Sequence, residues 1–131
     1  MNHGRLLVAA AAAALVPLAG CADDSPQALV ASPAVVPSNG IVIEIDSLDN
    51  TFRPDRIEVE IGAEVVWRNV GHNEHDVIAV EGDWGVEKGN FAPGAEFRHV
   101  FTEPGEYRYY CTIHGIPDVG MVGTVIVTEP A

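Results

Sequence analysis

Residues 109–123 read YYCTIHGIPDVGMVG, and this stretch decides how the rest of the sequence is interpreted. It places a thiol (Cys111), an imidazole (His114) and a thioether (Met121) in one short segment between two runs that are typical of strands. A second imidazole is available upstream at His75. Two imidazoles and one thiolate, with a distant thioether, are a ligand set that suits copper. The short motif alone is weak, because Cys-x-x-His also occurs where the Cys and the His are ordinary packing residues.

The composition limits the classes of protein to consider. The 131 residues, 47% of them hydrophobic, have room for one small globular domain. Asp and Glu number 19 against 7 Lys and Arg, for a formal net charge of −12, so the basic surface that nucleic-acid binding requires is absent. An acidic surface favours encounters with basic protein partners, although it is equally typical of a merely soluble exported protein.

The first 20 residues have the features of an export signal. Arg5 supplies a positive start, and residues 6–18 form an apolar run, too short for a membrane span of about 20 apolar residues. The run ends in LAGC at residues 18–21, which resembles the lipobox of bacterial lipoproteins, where the Cys is acylated. We therefore expect a lipoprotein signal peptide at residues 1–20. A non-lipidated signal peptide is the alternative.

A lipid on Cys21 implies a protein that lies outside the cytoplasm, anchored to a bacterial membrane. Residues 21–40 are rich in Ala, Ser, Pro and Val, contain no aromatic residue, and are predicted to be a flexible linker. The chain has only two cysteines. With Cys21 acylated, we expect no disulfide and a single free thiol at Cys111.

From Ile41 onward the sequence is a series of short strands separated by turns. The β-branched and aromatic runs are residues 41–45, 57–61, 65–67, 77–80, 97–101, 107–110 and 123–127. Such spacing without helical periodicity predicts an all-β Greek-key β-sandwich of seven to eight strands over residues 41–131. Residues 82–92 are longer than the other connections and are expected to hold a helical turn or an irregular loop.

Alternation along the 107–110 strand places the Cys111 side chain on the inner face. Tyr107, Tyr109 and Cys111 share that face, because successive side chains of a strand point to opposite sides. A thiolate so placed is shielded from water and oxidants and is available to a metal. Tyr110 lies on the other face, and we expect it to be exposed beside the metal.

Several pieces of residues 41–128, in order, match one family pattern. They are TFRP (51–54), IEV (57–59), VVWRN (65–69), HDV (75–77), FAPG (91–94), PGEY (104–107) and the 109–123 segment. Together they resemble the cupredoxins, most closely the plastocyanin-like and halocyanin-like groups.

The resemblance implies a β-sandwich with one type 1 copper at one end. Carried over by position, the implied copper ligands are His75, Cys111, His114 and Met121. Asn69, in the W-x-N stretch, is expected to help fix the loop that bears His75, as groups behind metal ligands commonly do.

The spacing between His114 and Met121 departs from the plastocyanin-like pattern. Residues 115–120 separate the two, whereas the family pattern is shorter. Met121 remains the expected axial ligand, because the intervening Gly and Pro residues supply turns. A backbone carbonyl, a water molecule or Asp118 are the alternatives.

Two other histidines are available as competing ligands. His72 lies in a polar loop three residues before His75, where an exposed histidine is the better interpretation. His99 alternates with Phe97 and Phe101 and is expected to pack against the core or an edge.

A full set of protein ligands leaves no open position for a substrate, unlike catalytic metal sites that keep a water. We therefore expect no enzyme activity, but a monomeric, membrane-anchored carrier of single electrons between extracytoplasmic redox proteins. The alternative is a copper-binding lipoprotein for copper sequestration or delivery, which dense Met or His clusters would favour. His-x-His pairs, as in multicopper oxidases, do not occur, and the ligand loop has one Cys where a binuclear copper centre needs two.

Overall fold

A computed structural model describes residues 38–131, and this part of the chain folds as strands without an α-helix. The strands are β1 (Val42–Ser47), β2 (Phe52–Arg53), β3 (Arg56–Glu60), β4 (Glu64–Asn69), β5 (Val77–Ala79), β6 (Gly85–Val86), β7 (Glu96–Val100), β8 (Gly105–Ile116) and β9 (Val119–Thr128). No helix in residues 38–131 is long and apolar enough to cross a membrane. The predicted all-β architecture is confirmed.

The strands form two sheets that pack as a sandwich. One sheet has the order β2-β1-β4-β7 and the other the order β3-β9-β8-β5-β6. The pairs β1/β4 and β3/β9 are parallel, and the remaining pairs are antiparallel. The chain passes from one sheet to the other after β2, β3, β4, β6 and β7. The two sheets are therefore linked covalently at five connections and also packed against each other through the core.

All seven predicted strands are present, and the structure adds two more. β2 and β6 are only two residues long, so neither has enough length to show the alternation by which strands are predicted. The connection at residues 82–92 contains β6 and turns, with no helical turn. The described part of the chain therefore has nine strands, where seven to eight were expected.

The core forms where inward side chains of the two sheets meet. In β9, every second residue from Met121 to Val127 is buried, as the two-residue repeat of a strand requires. Trp67 on β4 is fully buried, and its ring centroid lies 5.3 Å from that of Tyr109 and 5.9 Å from that of Trp84. An aromatic ring that buries 150–250 Å² contributes roughly 4–6 kcal/mol of gross hydrophobic stabilisation.

One end of the sandwich contains the turn at Ile61 and Gly62, and the other end contains the start of the segment that carries His75. At one end, the Asn39 backbone N–H donates to Gly62 O at 2.8 Å, and Asn39 Nδ2 donates to Ile61 O at 3.1 Å. β4 starts beside this turn and runs six residues, or roughly 20 Å, to Asn69 at the other end. The segment that carries His75 begins there.

Candidate metal centre

Three of the four predicted ligands lie around a bulge between β8 and β9. Tyr110 pairs with Val122 and Gly115 pairs with Gly120, so residues 111–114 of β8 lie opposite Met121 alone. An excess of residues on one strand bends that strand and re-aims its side chains. The bulge therefore brings Cys111, His114 and Met121 to the same place in the sheet.

The long spacing between His114 and Met121 is taken up by a small hairpin. Residues 115–120 pair with each other around a two-residue turn at Pro117 and Asp118. The additional residues extend outward as paired strands, so Met121 keeps its register opposite the bulge. This hairpin had not been expected from the sequence, which indicated only turns.

Two glycines allow the hairpin to start immediately after the bulge. Gly120 has φ +95°, and a Cβ on it would lie 2.5 Å from His114 O. A Cβ on Gly115 would lie 2.8 Å from the backbone N of Met121. Contacts this short do not occur for real Cβ atoms, so the close approach of the two strands requires both glycines.

His75 lies between β4 and β5, in a segment that Asn69 holds in place. Asn69 Nδ2 donates to the carbonyl oxygens of Asn73 at 2.9 Å and Phe91 at 2.8 Å, and Asn69 Oδ1 accepts from the Gly71 N–H at 3.1 Å. The His75 N–H also donates to Phe91 O at 3.3 Å. Asn69 is buried, so these bonds replace those that its amide would make to water. These are the contacts expected of a residue that fixes the His75 loop.

His75, Cys111 and His114 bring three ligand atoms together. The Nδ1 atoms of the two histidines lie 3.2 Å apart, and each lies 3.7 Å from Cys111 Sγ. Metal bonds of about 2.0 Å to nitrogen and about 2.3 Å to sulfur, at angles of about 100–120°, give triangle sides of roughly 3.1–3.7 Å. The three atoms can therefore bind one first-row metal ion where they stand. Two imidazoles and one thiolate favour copper.

The fourth predicted ligand lies in the same region. Met121 is fully buried and belongs to the same core cluster as Cys111. Cys111 and His75 are also fully buried, whereas His114 is only half-buried. The site is thus closed towards the core and reaches the surface at His114.

Burial favours the neutral forms of Cys111 and His75 in the metal-free protein. Burial raises the pKa of the Cys111 thiol, although backbone N–H groups of Asp76, Ile113 and His114 oppose this by stabilising the thiolate. Burial also lowers the pKa of His75, and the neighbouring His114 lowers it further. A neutral imidazole offers a lone pair to a metal, and the metal has to displace the thiol proton. The site therefore favours a cation that binds thiolate strongly enough to displace the thiol proton.

Residues 40–128 match the family described as "Copper binding proteins, plastocyanin/azurin family". The chain is a cupredoxin of this family. Plastocyanin from Fritillaria agrestis, described as chloroplastic, is 33% identical over 112 residues, which cover 74% of this cupredoxin and 66% of the relative. Amicyanin from Paracoccus denitrificans is 30% identical over 84 residues, which cover 62% of this cupredoxin and 63% of the relative. The cupredoxin thus spans about two thirds of the length of these relatives.

Solved structures show the same fold. A purple cupredoxin from Nitrosopumilus maritimus has a TM-score of 0.56 at 25% identity, over 65% of this cupredoxin and 98% of the other chain. A reduced mutant of amicyanin has a TM-score of 0.57 at 26% identity, over 70% and 85% of the two chains. A copper-containing nitrite reductase from Thermus scotoductus has a TM-score of 0.58 at 29% identity, but the match covers 23% of its chain.

Copper is the cofactor of this cupredoxin. The family is one of copper-binding proteins, and the donor triangle of two imidazoles and one thiol fits a copper ion. Among residues 38–131 this is the one cluster of three or more His, Cys, Asp or Glu that can hold a metal.

Sequence reasoning missed Asp76. Its Oδ1 accepts from the Thr112 backbone N–H at 2.6 Å, and its Oδ2 accepts from Thr112 Oγ1. Asp76 follows His75 and Thr112 follows Cys111, so these bonds join the two segments that carry ligands. The sequence contains one indication of this contact: Asp76 and Thr112 each directly follow a predicted ligand.

The other histidines and Tyr110 lie as the sequence indicated, with one difference. His72 is exposed, and its Nδ1 lies 3.2 Å from Asp49 Oδ2 on the surface. His99 is half-buried and stacks on Trp84 at 5.5 Å between ring centroids. Tyr110 is half-buried where exposure had been expected. The predicted lipidation site, Cys21, lies outside the described residues.

Proposed function

We propose that this cupredoxin carries single electrons between redox proteins, and that His75 Nδ1, Cys111 Sγ, His114 Nδ1 and Met121 Sδ would hold its copper. The observation that carries the proposal is the triangle of three ligand atoms, 3.2–3.7 Å on a side, at a bulge that faces Met121. Bound copper supplies a one-electron couple between Cu(I) and Cu(II). A buried site fixed by the neighbouring strands favours fast exchange, because its ligands have little freedom to rearrange.

The same geometry supports a carrier and not an enzyme. Catalytic metal sites keep a coordination position for water or substrate, whereas four protein ligands leave none. Cys111, His75 and Met121 are fully buried, so a substrate has no access to the site on the core side. The nitrite reductase similarity extends to only 23% of that enzyme.

Exposed apolar side chains next to His114 in the chain and in the following hairpin support docking of a protein partner at this end. Ile113 precedes His114, and Ile116 and Val119 form the last pair of the hairpin; all three are exposed. Exposed apolar side chains grouped in this way mark interaction sites more often than chance. We propose that electrons enter and leave the copper at this end of the domain and pass through His114.

The acidic charge of the chain supports a basic partner. The formal net charge of −12 attracts positively charged proteins over distances of about a Debye length, which is roughly 8–10 Å at physiological salt. Electron exchange with a basic cytochrome should therefore slow steeply as salt is raised from about 10 to about 200 mM. We further propose that the carrier is monomeric and does not bind nucleic acid.

We also propose that the protein is anchored to a bacterial membrane on its extracytoplasmic side. The support is the LAGC sequence at residues 18–21 after the apolar run. In this proposal residues 1–20 are the signal peptide, residues 21–40 are a lipid-anchored linker that begins at the acylated Cys21, and residues 41–131 are the cupredoxin domain. Two or three acyl chains give stable attachment, since each buried CH₂ contributes about 0.8 kcal/mol.

The function is tested by copper loading followed by electron exchange. The protein should bind one copper and show the intense visible band of thiolate-to-Cu(II) charge transfer, and Cys111→Ser should lose this band. Ile116→Ser and Val119→Ser should keep the band but slow electron exchange with a basic cytochrome. A colourless Cu(II) form of the wild type contradicts the proposal. Rapid transfer of copper to an acceptor, without electron exchange, would favour the alternative function of copper delivery.

The anchor is tested by fractionation and mass spectrometry. The wild type should stay with membranes after a carbonate wash, and Cys21→Ser should remain unprocessed and unacylated. A mature protein that starts at another residue and carries no lipid contradicts the anchor. Such a result would not bear on the proposed copper site, which lies in the cupredoxin domain.

A further inference from the structure

Asp76 carries a buried carboxyl group beside the predicted ligands. It is 2% exposed and is the only Asp, Glu, Lys or Arg among residues 38–131 that is buried. None of the ion pairs found in this range includes it. A buried carboxylate without a cation is costly unless hydrogen bonds or a nearby positive centre stabilise it.

Thr112 supplies hydrogen bonds to both carboxylate oxygens. The Thr112 N–H donates to Oδ1 at 2.6 Å, which requires that oxygen to be an acceptor, and the Thr112 hydroxyl bonds to Oδ2. Hydrogen bonds to a charged group are shorter and stronger than neutral ones. The Asp76 backbone N–H also points to the Cys111 sulfur. Asp76 thus contacts both the Cys111 sulfur and Thr112, the residue that follows Cys111.

We propose that the negative charge of Asp76, held where the His75 and Cys111 segments meet, lowers the reduction potential of the bound copper. The proposal rests on the ligand set given under Proposed function. A negative charge favours the more positive ion, and Cu(II) carries one more positive charge than Cu(I). Adjacent opposite charges shift a proton-binding equilibrium by about one to three powers of ten, and the same attraction acts on copper.

The first test removes the charge and keeps the shape. In Asp76→Asn the amide oxygen still accepts from the Thr112 N–H, and the Thr112 hydroxyl can accept from the new NH₂ group. The ratio of Cu(I) to Cu(II) at a fixed electrode potential should rise at least about tenfold, which is about 59 mV for one electron. Glu58→Gln is the matched control, because it removes one exposed carboxylate on β3 and should shift the ratio by less than about twofold.

The second test removes one hydrogen bond and keeps the charge. Thr112→Val deletes the hydroxyl that stabilises Asp76, so the negative charge acts more fully on copper and the potential should fall. The two variants should therefore shift the potential in opposite directions. If Asp76 acted only by positioning the Cys111 segment, both variants would weaken the hydrogen bonds between Asp76 and Thr112. They would then shift the reduction potential in the same direction.

A third measurement needs no copper. Hydrogen exchange of the Thr112 amide in the copper-free protein should be at least about tenfold faster in Asp76→Ala than in the wild type, because the amide loses its acceptor. An unchanged exchange rate overturns the proposal, because the Asp76 carboxylate would then not be hydrogen-bonded beside Cys111.

The outcomes separate this proposal from the proposed function. A wild type without the thiolate band refutes the electron-carrier function and its ligand set. A wild type with the band, but with equal potentials in Asp76→Asn and Glu58→Gln, overturns the effect of Asp76 alone. If Asp76→Asn fails to fold, a potential that does not fall in Thr112→Val overturns that effect instead.

Discussion

Gly123 is the position where one added methyl group should disturb the domain most. Gly123 pairs with Tyr109 across β8 and β9, and the Tyr109 ring lies over it. A Cβ on Gly123 would lie 2.6 Å from Tyr109 Cε2 and closer still to Cζ and Oη. An ordinary contact is at least about 3.5 Å, so the Tyr109 ring has to move by about 1 Å or more in Gly123→Ala.

The Tyr109 ring has little room to move. It is fully buried, and its centroid lies 4.9 Å from that of Phe52 and 5.3 Å from that of Trp67. Overpacking a tight core costs about 1–3 kcal/mol, and complete loss of a buried aromatic ring costs about 3–5 kcal/mol. We expect Gly123→Ala to destabilise the protein by about 3 kcal/mol. Since 1 kcal/mol shifts the Tm of a domain of about 60–100 residues by about 4–8 °C, the Tm should fall by about 12–24 °C.

Chemical and thermal unfolding of the copper-free protein measure this effect. Gly105→Ala is the matched control, because it makes the same change on β8 and its Cβ would meet Tyr107 at an ordinary 3.5 Å. In a double-mutant cycle, Tyr109→Leu should relieve most of the Gly123→Ala penalty, since it removes the clashing ring. A Gly123→Ala protein within about 0.5 kcal/mol of Gly105→Ala would refute the steric argument, because surface substitutions vary by that amount.

Three further predictions concern the site and its support. Asn69→Ala removes the amide donor to the carbonyl oxygens of Asn73 and Phe91 and the acceptor of the Gly71 N–H, and should cost about 2–4 kcal/mol in unfolding free energy and weaken copper binding; unchanged copper affinity contradicts the loop-fixing role. Met121→Leu should retain copper and the thiolate band but change the reduction potential, whereas an unchanged potential assigns Met121 to packing alone. Burial lowers the pKa of His99, so the unfolded chain binds more protons and the protein should lose stability as pH falls below about 6.5. Unfolding of wild type and His99→Gln from about pH 8 to about pH 5 tests this, and a pH-independent difference between the two contradicts it.

The sandwich was predictable because β-branched and aromatic runs separated by turns mark its longer strands. In β9 the alternation also shows which face is inside, and the chemistry of Cys111 and its neighbours indicated the metal. β2 and β6 were missed, because two residues cannot display a period. The hairpin at residues 115–120 was missed for a different reason, since its pairing depends on register across two strands and not on local composition.

The contact between Asp76 and Thr112 was also beyond sequence reasoning. An aspartate after His75 reads as an ordinary polar loop residue, and only the folded chain brings it within hydrogen-bond distance of a residue 36 positions away. Asn69 was different, because its place at the end of β4 in the family pattern indicated a supporting role. Residues that support a site across long sequence distances are visible only when tertiary contacts are known.

The hairpin at residues 115–120 makes the copper end tolerant of insertion, provided that residues are added in pairs. Two residues placed between Pro117 and Asp118 would lengthen both arms by one residue and leave Gly115 opposite Gly120. A single residue would shift the pairing and turn the outer side chains to the opposite face. The tip is therefore a suitable place to graft a surface-binding peptide, which would attach the protein to an electrode with its copper facing the conductor.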